Sequence, residues 1–262
     1  MSQLLGDNFQ IHEIFRTDNF LNEDLNEVEV GNMPPLALMF QAGYLTVASK
    51  EFASGAARYY LRFPNFEVES AVYGLTLNFF GQNTFRLTQL RQKAKAMVAS
   101  MVALDSAGLE TAFGDILASL PYNTHTPYEG HYQALFIMTL ASIGLRYEAE
   151  SRAGDGTYDL QLQTESGAHY IIELKCESYK APKTNKDLPK DKFKENMKKA
   201  AVSALAQIEE KKYYRKFRGE GTDIYKMALV VGGYFDVLVV FEKAQNWGLV
   251  RGADGCLKVV RE

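Results

Sequence analysis

The stretch from Asp155 to Lys175 constrains the fold more than any other. Polar and apolar residues alternate through Asp159-Leu160-Gln161-Leu162-Gln163 and again through His169-Tyr170-Ile171-Ile172-Glu173-Leu174-Lys175, with Thr164-Glu165-Ser166-Gly167-Ala168 between them. Period-two patterning predicts a hairpin with Leu160, Leu162, Tyr170, Ile172 and Leu174 on one face. Asp159, Gln161, His169, Ile171, Glu173 and Lys175 take the other. A turn centred on Ser166, with Gly167 at positive φ, suits a three-residue loop closed by a glycine bulge. That register sets Asp159 opposite Glu173, with Cβ atoms roughly 5 Å apart. Two carboxylates facing each other across a ladder repel unless a cation lies between them. Lys175 projects to the same side, so the pattern is that of a metal site with an ammonium beside it.

The chain has 262 residues with a net charge of -3, which excludes attraction of the whole molecule to nucleic acid but not a local basic surface. Cys176 and Cys256, the two cysteines, cannot build a disulfide framework or a structural zinc site by themselves and fit a reducing compartment. Met1-Ser2-Gln3-Leu4-Leu5-Gly6-Asp7 lacks the basic start and apolar run of a signal peptide, and no apolar run nears the roughly 20 residues of a membrane span. A cytoplasmic protein with no membrane partner is expected.

In chain order, residues 1–30 are expected to form a peripheral segment. Pro34 to Gly43 predicts a short helix, Tyr44 to Val47 and Arg58 to Phe63 two strands, and Pro64 to about Phe80 a second helix. Helix, hairpin, helix outlines a winged-helix-like domain over residues 31–83. Such a unit serves DNA contact or rigid packing, and with only Arg58 and Arg62 as cations in its returning strand, packing is favoured. Residues 84–120 predict a helical connector in which Gly108 and Gly114 break the run. Residues 121–262 predict the α/β domain: a helix from Tyr128 to Leu140, a strand from Leu145, the hairpin, a helix resuming at Ala200, and buried strands from Met227 and Val237. The fold class is α/β, a mixed sheet flanked by helices and preceded by the helical, winged-helix-like part. No G-x-x-x-x-G-K-[ST] motif occurs.

Asp159, Glu173-x-Lys175, Glu129 on the preceding helix, and Gln207-Ile208 with Tyr213 on the following one together resemble the PD-(D/E)XK nuclease superfamily, whose fold is restriction-endonuclease-like. Phe40-Gln41-Ala42-Gly43-Tyr44-Leu45-Thr46 and Tyr60-Leu61-x-Phe63-Pro64-Asn65-x-Glu67-Val68 are similar to the region that follows the ATPase core in the bacterial AAA-ATPase-like proteins that end in such a nuclease. The ATPase core has no counterpart here. Family members often carry Gly-Arg ahead of the aspartate, where this chain has Gly156-Thr157-Tyr158-Asp159, without the arginine.

The resemblance implies a Mg²⁺- or Mn²⁺-dependent nuclease acting on DNA, with RNA as the other substrate. Asp159 and Glu173 bind the metal with the Leu174 carbonyl, and Glu129 joins the shell. Lys175 orients or deprotonates the attacking water, and Gln207 positions substrate or the lysine. The lysine-rich tract after the site, with Lys180, Lys183 and Lys186, is expected to follow phosphates, its first half as a mobile loop; Tyr213 is placed with the substrate-binding residues. A bland alternative reads D…ExK as a cross-strand ion pair and the lysines as a solvated face. It leaves a non-catalytic module that binds nucleic acid, a protein partner or a separate ATPase component. His131, His169 and Trp247 read as structural. Oligomeric state is not legible.

Overall fold

The computed structural model describes residues 20–21, 35–53, 56–80, 87–120, 128–153, 156–180, 187–213, 217, 223–233, 235–244, 247–251 and 257–261. Its backbone contacts define two compact units, one comprising residues 1–95 and 119–144, the other residues 96–118 and 145–262. These are not the segments that composition suggested. The helix expected to open the α/β domain groups with the first unit, because it packs against the helix at 66–80.

In the first unit, α1 (Pro35–Gln41) ends where Gly43 takes φ +80° and the Tyr44 N–H returns to the Met39 carbonyl. β2 (Thr46–Ala53) and β3 (Ala56–Arg62) pair antiparallel, and β1 (Phe20–Leu21) adds a short strand on the far side of β3. α2 (Phe66–Phe80) starts at Asn65, whose Oδ1 accepts the Val68 N–H at 2.9 Å, with Glu67 and Glu69 in the first turn favouring its positive end. The elements follow the helix–hairpin–helix order read from the sequence, with both strands longer than expected.

α3 (Leu87–Val102) runs from the first unit into the second, where α4 (Ser106–Ala118) follows. Gly108 and Gly114 do not break the helical run as expected. The break falls at Leu104, in left-handed conformation at φ 54°, and at Asp105, whose Oδ1 caps α4 by accepting the Gly108 N–H at 3.0 Å. Gly114 lies inside α4, where a Cβ would come 3.3 Å from the Phe235 carbonyl oxygen. α5 (Glu129–Ala141) belongs to the first unit.

The second unit is built on five strands in the order β4 (Arg146–Ala153), β5 (Gly156–Gln163), β6 (His169–Glu177), β7 (Ile224–Gly232) and β8 (Asp236–Lys243). β6 and β7 are parallel and the other neighbours antiparallel, so the sheet is mixed. A parallel pair needs a crossover, supplied here by α6 (Lys190–Lys211). β9 (Trp247–Arg251) and β10 (Leu257–Arg261) form a separate hairpin that the sequence reading did not contain. This α/β arrangement, a mixed sheet flanked by helices, is restriction-endonuclease-like.

One sheet face buries Leu160, Leu162, Tyr170, Ile172 and Leu174, as alternation predicted. The Tyr170 hydroxyl donates to the Met101 carbonyl at 3.0 Å, and burial, helped by Tyr225 and Asp223, pushes its pKa up to about 12. α4 packs on β8, where Glu110 accepts the Val239 N–H at 2.8 Å. α6 covers the other face with Phe193, Met197, Ala201, Ala204 and Leu205 against Ala228 and Val230. The lysine tract thus turns helical at Lys190, ahead of the expected Ala200. Phe193 and Met197, one turn apart, give it an apolar stripe, and burying each is worth about 1.5–3 kcal/mol.

Candidate active site

The turn at Gly167 decides which residues meet on β5 and β6. Gly167 adopts φ +85°, its N–H donates to the Thr164 carbonyl at 2.9 Å, and the Thr164 N–H closes the loop on the Ala168 carbonyl at 3.0 Å. The three-residue loop fixes the pairs Gln163 with His169, Leu162 with Tyr170, Gln161 with Ile171 and Leu160 with Ile172. Extending that register by one residue sets Asp159 opposite Glu173, but the ladder stops at Leu160. There the Asp159 side chain replaces it: Oδ2 accepts the Leu174 N–H at 2.8 Å.

Glu173 points to the α6 side of the sheet, in register with Ala228 of β7, which packs under α6. It is 1 % exposed. A carboxylate buried so deeply requires hydrogen bonds or opposite charge. Both are present, because Oε1 accepts from Lys175 Nζ at 3.0 Å and from Gln207 Nε2 on α6. The Lys175 side chain is 25 % exposed, so its ammonium joins the buried carboxylate to solvent. Gln207 also bonds the Tyr213 hydroxyl. Burial pushes the Tyr213 phenol up; the Gln207 bond pulls it down, and Glu173 and Asp159 push it up further. Asp159, Glu173, Lys175, Gln207 and Tyr213 thus form one electrostatic group.

Tyr213 is 2 % exposed and packs with Ile171, Ile208, Ile224 and Ala244. Its ring has no surface to offer a substrate, contrary to the expected role; its hydroxyl holds Gln207 instead. Lys180 is exposed and bridges through its backbone to Asp187. Lys183 and Lys186 lie outside the described residues, as does the Asp155 end of the turn before β5. Thr157 and Tyr158 are described only as backbone of β5. Glu129 is the first residue of α5, in the other compact unit. His169 is structural, with ring nitrogens 2.8 Å from Gln161 Nε2 and 3.3 Å from Gln163 Nε2, stacked on Phe217, and burial lowers its pKa.

The sequence reading missed Lys226. It is 8 % exposed, and its Nζ lies 2.7 Å from Glu242 of β8 and 3.2 Å from Glu209 of α6. Burial pulls its pKa down, but the bonds to Glu242 and Glu209 outweigh that and hold it above the usual value. This ties the end of α6, two residues from Gln207, to the sheet. The signal was a lysine inside the apolar run Ile224-Tyr225-Lys226-Met227, just before the residue at which the strand was read to begin.

Among the described residues, no three His, Cys, Asp or Glu side chains cluster as a metal cage. Two adjacent carboxylates nevertheless suit Mg²⁺, a hard cation that keeps several waters and is bound by one or two carboxylates together with substrate phosphate. The hydrogen bonds above engage Oδ2 of Asp159 and Oε1 of Glu173, while a carboxylate offers about four acceptor directions over its two oxygens. The donor set fits the ion.

Asp159, Glu173 and Lys175 lie at neighbouring positions on β5 and β6 of the mixed sheet. Residues 127–241 match the sequence model of the PD-(D/E)XK nuclease superfamily. A protein of Azotobacter chroococcum mcd 1, described as an uncharacterized protein in the vnfD 5' region, is 28% identical over 225 residues, covering 84% of this chain and 38% of that protein. The chain therefore spans well under half the length of that relative. No solved structure matches. Among the described residues no helix is long and apolar enough to cross a membrane.

Proposed function

We propose that the protein is a metal-dependent nuclease that hydrolyses DNA phosphodiester bonds at the site formed by Asp159, Glu173 and Lys175. The observation that carries this reading is the buried Glu173 carboxylate, gripped by Lys175 and Gln207 on the strand whose Leu174 N–H is tied to Asp159. A purely structural ion pair needs neither the second carboxylate nor the glutamine.

Asp159 and Glu173 would hold Mg²⁺ or Mn²⁺. When bound, such an ion lowers the pKa of water and offsets negative charge on phosphorus oxygens. Lys175, whose side chain is partly exposed, would orient the attacking water or donate to a phosphoryl oxygen as its charge develops. Gln207 fixes the carboxylate between them, and Tyr213 fixes Gln207. Lys180, with Lys183 and Lys186, would contact phosphates along the approach.

Incubation of plasmid, linear and single-stranded DNA and of RNA with Mg²⁺ or Mn²⁺ tests the proposal. Cleavage lost in Asp159→Ala and Lys175→Ala supports it; equal cleavage by both variants removes this site from consideration. The second reading, a binding module without catalysis, is favoured by the absence from Thr157-Tyr158 of the arginine that family members often carry ahead of the aspartate. Salt-sensitive binding without cleavage would select it.

A further inference from the structure

The β2–β3 hairpin, in the unit that lacks the D…ExK residues, carries a surface that packing does not explain. Phe52 on β2 is 78 % exposed. Lys50, two residues earlier on the same face, holds its Nζ 4.7 Å from the centre of the Phe52 ring and 5.1 Å from that of Tyr59, its cross-strand partner. An ammonium at these distances is attracted to both π-faces, which gathers two rings and a cation into one cluster in which Phe52 and Lys50 are exposed and Tyr59 is half-buried. Between Thr46 and Arg62 the sequence holds Lys50, Arg58 and Arg62 against Glu51, a net +2 in a chain of net charge -3. Glu51 lies across from Arg58 and accepts the Tyr60 hydroxyl at 3.0 Å, on the opposite face from Lys50 and Phe52.

We infer that this face is a binding site for single-stranded nucleic acid, with bases stacking on Phe52 and Tyr59 and Lys50 engaging the backbone phosphate beside them. Exposed aromatic faces accept any unstacked base, and adjacent cations follow the backbone. A duplex keeps its bases stacked inside and offers the rings nothing comparable, so single strands are the class that the cluster fits. The local positive charge against the acidic whole argues for a polyanion over a protein strand added to the β2 edge. The site extends the nuclease reading but does not depend on cleavage.

Binding of a labelled oligothymidylate, followed by fluorescence anisotropy in EDTA, tests the site with cleavage switched off. Phe52→Ala is expected to weaken binding roughly ten-fold, Phe52→Trp to restore it, and Lys50→Ala to lower the slope of log affinity against log salt by about one. Phe52 is exposed, so these variants keep the fold, which circular dichroism verifies. Unchanged affinity in Phe52→Ala and Lys50→Ala overturns the inference, as does equal competition by duplex. Loss of self-association in Phe52→Ala, with oligonucleotide binding intact, would assign the face to contacts between copies of the chain instead.

Discussion

The Leu174 N–H donates to Asp159 Oδ2 at 2.8 Å, although the ladder between their strands ends at Leu160 and Ile172. The aspartate does the work of a ladder carbonyl, and that places its carboxylate beside the residue that follows Glu173. A single contact therefore serves both the sheet and the candidate metal site.

The two roles separate by substitution. Asp159→Asn keeps an oxygen acceptor for Leu174 but halves the acidic pair, whereas Asp159→Ala removes both. Chemical denaturation should show Asp159→Ala about 1–3 kcal/mol less stable and Asp159→Asn much nearer wild type. Wild type should melt at a higher temperature in Mg²⁺, and both variants should lose that rise.

Gln207 is predicted to act through Glu173 and not on substrate. Gln207→Leu takes one donor from Oε1 and leaves Lys175 to hold the carboxylate. Steady-state cleavage should then show kcat reduced about ten-fold with KM little changed, the mark of lost stabilisation confined to the transition state. Tyr213→Phe, which frees the Gln207 amide from the phenol, should show the same split at smaller amplitude.

Lys226→Met leaves Glu209 and Glu242 facing each other without their cation. Both carboxylates are about half exposed, so water softens the cost to about 1–2 kcal/mol at neutral pH. The sign of the pH dependence follows from the raised Lys226 pKa. The contribution is complete below the ordinary value of 10.5 and fades as pH rises through the raised one. Denaturation curves of wild type and Lys226→Met should converge in strong alkali.

The end of β7 lies close against α6. A Cβ on Gly232 would lie 2.5 Å from Phe193 Cζ and 2.9 Å from Met197 Sδ, both on the buried face of α6. Gly232→Ala should cost about 1–3 kcal/mol through overpacking, and adding Phe193→Leu should recover part of it in thermal melts.

The hairpin that carries the candidate site was legible because a period of two and a glycine turn leave little freedom: Gly167 fixes the loop, and the loop fixes Leu160 against Ile172. Gln207 was legible through the family resemblance, and the structure adds that it reaches Glu173. What sequence hid was tertiary. Glu173 and Ile171 are buried although their face alternates with polar residues, because α6 covers it. The lysine-dense start of α6 masked its apolar stripe, since Phe193 and Met197 sit one turn apart among solvated lysines. The break at Leu104 went to a non-glycine, where the Asp105 cap outweighed the two nearby glycines as a signal. The grouping of α5 with the first unit depends on packing against α2, which no local pattern announces.

The most direct test is cleavage of labelled DNA by Lys175→Gln in Mg²⁺, with folding verified by thermal melting. The glutamine amide can still donate to Glu173 but supplies neither a positive charge nor a base. The account predicts that wild type cleaves in Mg²⁺ and stops in EDTA, and that Lys175→Gln is slower by about 100-fold or more. Cleavage by Lys175→Gln at the wild-type rate would contradict it.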